Sequence, residues 1–103
     1  MRVLKIEPGK APITINIENT LESLQGQVGG YIETVTFAED VVIICDEEGR
    51  LKDKPYNFRL CGMDFVGVIL IAGRKDDEFC DIKDVNARWF CQWWRTLRWG
   101  DGR

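Results

Sequence analysis

The chain of 103 residues has no histidine and a single serine, Ser23. Without an imidazole, neither a Ser-His nor a Cys-His nucleophile pair can be assembled, and the usual proton shuttle near neutral pH is missing. The four cysteines, Cys45, Cys61, Cys80 and Cys91, include no C-x-x-C pair. Structural zinc ordinarily takes thiolates in such close pairs, so buried reduced thiols at Cys45 and Cys91 are the better account. Long apolar runs are lacking too. VVIIC at 41–45 and FVGVILIAG at 65–73 fall well short of a membrane-spanning helix. The charged start, MRVLKIEPGK, has no apolar stretch of the kind a secretory signal needs. These absences point to a cytoplasmic protein that is not an enzyme, takes no cofactor or metal and does not enter a membrane.

Basic residues are also missing from one long stretch. Between Lys10 and Arg50 there is none, while Glu18, Glu22, Glu33, Glu39, Asp40, Asp46, Glu47 and Glu48 give that stretch a charge of −8. From Arg50 to Lys75, six bases stand against Asp53 and Asp64, a charge of +4. A chain of such halves can fold its charges against each other, or it can present an acidic face to a partner. A solvated acidic surface is the plain alternative.

What is present describes one domain, residues 1–103, with 45% hydrophobic and 30% charged residues. RVLKIE at 2–7 reads as a first strand. ITINIE at 13–18 alternates isoleucines with polar residues, so the two are expected to pair as a hairpin around EPGKAP. Asn19 or Thr20 can cap a helix whose buried stripe is Leu21, Leu24 and Val28. The glycines of LESLQGQVGGYIETV come after this helix and before a strand. A helix C-terminus offers carbonyls, which repel phosphate, so Gly29 or Gly30 is expected as a left-handed cap and not as an anion cradle.

Farther on, VVIIC suits a central strand covered on both faces. Gly49 marks a turn, and Pro55-Tyr56-Asn57 is expected to open a loop or short helix. FVGVILIAG is expected as one buried strand, with Gly67 as a bulge or a close approach. Asp81 or Asp84 is a candidate cap for a last helix, on which Trp89, Phe90, Trp93, Trp94 and Leu97 form one apolar arc. Arg88, Gln92, Arg95 and Arg98 take the other side, with Trp99 among them. The expected fold is α+β: a mostly antiparallel sheet with two helices, in the order ββαββ…βα.

EPGK at 7–10, NTLESLQGQVGGYIETV at 19–35 and VVIICDEEGRLKDKPYN at 41–57 resemble a family of uncharacterised domains carried by phages, plasmids and conjugative elements of bacteria, especially Firmicutes. The resemblance covers about the first sixty residues and extends loosely to IAG at 71–73. WFCQWWRTLRWG departs from it. The resemblance brings no catalytic residues and no cofactor. It does take in proteins similar to inhibitors of type II CRISPR effectors, the single-chain RNA-guided nucleases. It therefore implies an anti-CRISPR protein in the cytoplasm of a bacterial host. Such an effector holds its heteroduplex in a positively charged channel, a surface that an acidic protein can occupy.

The expected mode is binding without chemistry, by a monomer, to the effector or its guide RNA complex. Candidate contacts are Glu39, Asp40, Asp46, Glu47 and Glu48 on hairpin loops, and Arg95 and Trp99 on the last helix, residue types favoured at interface hot spots. A second reading is an accessory protein that grips nucleic acid through Arg88, Arg95, Arg98, Arg103 and Trp99. The acidic balance of the chain speaks against free nucleic acid as its partner. A third is a carboxylate-dependent hydrolase using Asp76, Asp77 and Glu78 or Asp46 to Glu48, but consecutive acids on a loop rarely converge on one ion.

Overall fold

The computed structural model describes residues 1–100, with side chains through Leu97. Within them, eight strands and two helices follow the order expected from the sequence: β1 (Arg2–Ile6), β2 (Ile13–Asn16), α1 (Leu21–Val28), β3 (Ile32–Ala38), β4 (Val41–Asp46), β5 (Tyr56–Leu60), β6 (Met63–Val66), β7 (Ile69–Lys75), β8 (Glu78–Cys80) and α2 (Asp84–Gly100). The fold is α+β. The main sheet runs β2-β1-β7-β4-β3, with β8 paired to the end of β7, and every pairing in it is antiparallel. β5 and β6 form a separate hairpin.

The continuous apolar run of β4 is explained by its place. It lies between β3 and β7, and all six of its residues are buried. Alternate side chains of the central strands feed two cores. On one face, Leu4, Ile43 and Ile71 meet Phe58 and Phe65 of the hairpin and Phe90 of α2. On the other, Val3, Val42, Ile44 and Leu70 meet Leu24 and Val28 of α1.

Helix α1 begins and ends as its residues dictate. The Thr20 hydroxyl accepts a hydrogen bond from Ser23 N–H (3.1 Å), and Gly29 closes the helix at φ 83°. Leu21, the first residue of its expected stripe, is exposed, while Leu24 and Val28 are buried.

Four expectations are corrected. FVGVILIAG is not one strand: Gly67, at φ 72°, turns the chain between β6 and β7. The conformation is one that a residue with a Cβ adopts only at a cost, which is why glycine breaks the apolar run there. Pro55-Tyr56-Asn57 opens a strand, not a loop or helix, and Asn57 Nδ2 ties that strand to the sheet through the carbonyls of Ile6 and Gly67, each at 2.8 Å. The aspartates near α2 are engaged elsewhere. Asp81 accepts from Arg2 N–H, Asp84 lies in the first turn and pairs with Arg2 at 2.7 Å, and the carbonyl of Lys83, just before the helix, accepts from Asn86 and Ala87 N–H. The arc of α2 also divides: Phe90 is buried, but Trp89 is 45% exposed and stacks on Trp93.

Candidate functional site

The five acids proposed from sequence do not share a surface. Glu39 and Asp40 precede β4, and Asp46, Glu47 and Glu48 lie at its end. Five strand residues, Val41 to Cys45, lie between the groups, which stand roughly 20 Å apart.

At the first end, Asp40 is held by Lys83 Nζ (2.9 Å) and Asn86 Nδ2 (3.4 Å). The Lys83 hydrogen bond keeps this carboxyl below the usual range and, in return, raises the Lys83 ammonium. Glu39, Asp40, Arg74, Lys75, Asp76 and Lys83 line a shallow cleft of about 620 Å³ there. Its charges are mixed, so it does not present an acidic face.

At the other end, Asp46 has turned inward. Its side chain is 1% exposed, beneath Lys54 Nζ (2.6 Å) and Lys52 Nζ (2.9 Å), and it also accepts from Glu48 N–H (2.9 Å). Burial pushes this carboxyl up, but the hydrogen bonds from Lys54, Lys52 and Glu48 outweigh burial together and hold it at about 2. The same two ammonium groups reach past it to α1. Lys54 donates to Val28 C=O (2.6 Å) and Lys52 to Gly29 C=O (3.2 Å). Helix α1 has no basic residue in its own last turn, so the loop after β4 supplies the positive charge that its C-terminus favours.

Gly30 is explained here as well. A Cβ on it would lie 2.6 Å from both Asp46 Oδ1 and Lys52 Nζ. Asp46 is thus a structural anchor, and the glycine pair and the segment DEEGRLKDK are two halves of one ion-pair lock. The signal for the lock was in the sequence, as an acid closing an apolar strand and two lysines beyond the Gly49 turn.

Glu47 and Glu48 remain in solvent, and Glu33 joins them from β3. None of the three has an ion pair among the described residues. Glu33 and Glu47 line a cleft of about 200 Å³ together with Arg50, Leu51 and Asp64. Arg50 donates to the Asp64 carbonyl (2.6 Å), while the Asp64 carboxylate is engaged by Arg59 (3.2 Å) and the Tyr56 hydroxyl (3.1 Å). Leu51, 83% exposed, and Tyr31, 67% exposed, stand near this acidic rim as uncovered apolar groups. Sequence reasoning did not single out Glu33, Tyr31 or Leu51: the β3–β4 register carries Glu33 and Tyr31 to the end of β4, and Leu51 lies on the loop that follows it.

Cys45 lies on the floor of the cleft. Burial, reinforced by Glu33 and Asp46, pushes its thiol up to about 11, so it is a neutral thiol at physiological pH. Among the described residues, no three Cys, Asp or Glu side chains gather as a metal site. No helix there is long and apolar enough to cross a membrane. Arg88 and Arg95 are exposed on α2; the Trp99 side chain, with those of Arg98 and Arg103, lies outside the described residues.

A family model described as a domain of unknown function, DUF3846, matches residues 1–95. No curated protein and no solved structure matches the chain.

Proposed function

The chain belongs to the DUF3846 family, and we propose that it works by binding, as an anti-CRISPR inhibitor of a type II RNA-guided nuclease, without chemistry of its own. The observation that supports this reading is the acidic rim at the end of β4, where Glu33, Glu47 and Glu48 are exposed and lack ion pairs among the described residues. The rim replaces the broader acidic face expected from composition, with Asp46 holding the loop from beneath. Opposite charge on an effector's nucleic-acid channel would steer the encounter and make it salt-sensitive. Exposed Tyr31 and Leu51 add apolar area beside the charge.

The test is plasmid cleavage by several type II effector orthologues, each loaded with guide RNA, against increasing inhibitor. The reading expects dose-dependent protection for at least one effector, weakened by salt and by Glu47→Gln/Glu48→Gln. Full cleavage at every dose across the set refutes it.

The exposure of Arg88 and Arg95 on one helix favours a second reading, a nucleic-acid-binding accessory protein. A low-salt electrophoretic shift separates the two, since an acidic inhibitor leaves free DNA unmoved.

A further inference from the structure

β3 lies at the rim of the main sheet, and it is not protected as rim strands usually are. The opposite rim strand, β2, has four residues and follows Pro12. β3 has seven, with no proline, lysine or arginine and one charge, Glu33; its irregularity comes only after Thr36.

The direction of its free backbone groups follows from one bond. Tyr31 C=O accepts from Glu47 N–H (2.8 Å), which continues the β3–β4 ladder. Alternation in an antiparallel ladder then turns the backbone of Glu33 and Val35 toward β4, and that of Ile32, Thr34 and Thr36 outward. No hydrogen bond from outside the sheet reaches these outward groups among the described residues.

We propose that this rim pairs with β3 of a second copy of the chain, antiparallel about a twofold axis at Thr34. The regular segment, Ile32 to Thr36, is centred on that residue. In this register Thr34 meets its own counterpart, Ile32 meets Thr36, and Glu33 meets Val35. All outward residues then exchange both bonds, about six in total across the pair. The register centred one residue earlier sets Glu33 against Glu33 and is disfavoured by like charge.

A second, independent feature fits the same register. Just beyond the two ends of the regular segment, this register brings exposed Tyr31 toward Phe37, which sits at the irregularity after Thr36 and whose ring lies 5.4 Å from the half-exposed ring of Trp89. The twofold axis repeats that contact, so aromatic surface left open in one copy is covered in two. The pairing is self-complementary, as a closed dimer requires.

The two Glu33 carboxylates stand on a diagonal of about 7–8 Å, a mild repulsion that salt screens. Dimerisation should therefore strengthen with salt and with Glu33→Gln. Binding to a basic partner should weaken under both, so the two proposals can fail separately.

The experiment is sedimentation of the full chain over a wide range of concentration. A reversible dimer is expected, lost in Thr34→Lys, which sets two lysines against each other at the axis, and in Thr36→Lys, which sets a lysine against Ile32 of the second copy; both should leave the melting temperature near that of the parent. Thr34→Cys, under oxidation, should yield a disulfide joining position 34 of two copies, located by mass spectrometry. A monomer at every concentration overturns the proposal, as does a dimer that survives both lysine substitutions.

Discussion

Replacing Asp46 by asparagine keeps the size of the side chain and removes its charge. The carboxylate has almost no solvent and holds two ammonium groups, at 2.6 and 2.9 Å. Its fall from an ordinary 3.8 to about 2 is equivalent to about 2 kcal/mol of stability at neutral pH. Lys52 stays 40% exposed and Lys54 21%, so both can swing toward water, and a net loss of ~1.5–2 kcal/mol is the working figure. For a domain of this size, that lowers the melting temperature by roughly 10 °C.

The pH dependence has a defined sign. A depressed carboxyl stabilises fully above its open-chain value, so the contribution of Asp46 is present above about pH 4 and is lost as pH falls through about 2. The gap between the parent and Asp46→Asn should close over that interval. Denaturant melts followed by circular dichroism at stepped pH measure it. A variant within about 0.5 kcal/mol of the parent at neutral pH, or a gap that persists in acid, would refute the reasoning.

Other expectations rest on single contacts. Gly30→Ala should lower stability by ~1–3 kcal/mol, because the new methyl lands 2.6 Å from Asp46 and Lys52; chemical denaturation reads it, and a neutral result contradicts the lock. Asp76 and Asp77 form the two-residue β7–β8 turn at φ 52° and 65°. Asp76→Asn/Asp77→Gly should raise the melting temperature, by ~0.5–1 kcal/mol in stability, since Asn-Gly is the favoured pair for such a turn. Phe90→Ala, at a residue 1% exposed, should cost ~3–5 kcal/mol, whereas Trp89→Ala at the open flank should cost far less in the same melt.

The sequence was most readable where periodicity and burial agree. The run VVIIC announced a strand covered on both faces, and the apolar/polar alternation of 13–18 announced a strand that pairs with the first as a hairpin. The glycine pair was identifiable as a helix cap because the helix before it was complete, and the structure gives that role to Gly29. Gly67 was harder. Apolar residues on both sides made one strand look continuous, and only a positive φ reveals the turn.

The candidate site was half visible. Composition showed that acids gather before Arg50, but a one-dimensional count could not separate Asp46, which faces inward to α1, from Glu47 and Glu48, which face solvent. It also could not place Glu33 beside them, since that neighbour is set by the β3–β4 register.

The account is tested most directly by the affinity of the protein for a guide-loaded type II effector, titrated calorimetrically at low and high salt. It predicts measurable binding that falls with salt and drops roughly tenfold or more in Glu47→Gln/Glu48→Gln, in a variant that melts like the parent. No heat of binding with any effector tested, or an affinity indifferent to both changes, would contradict it.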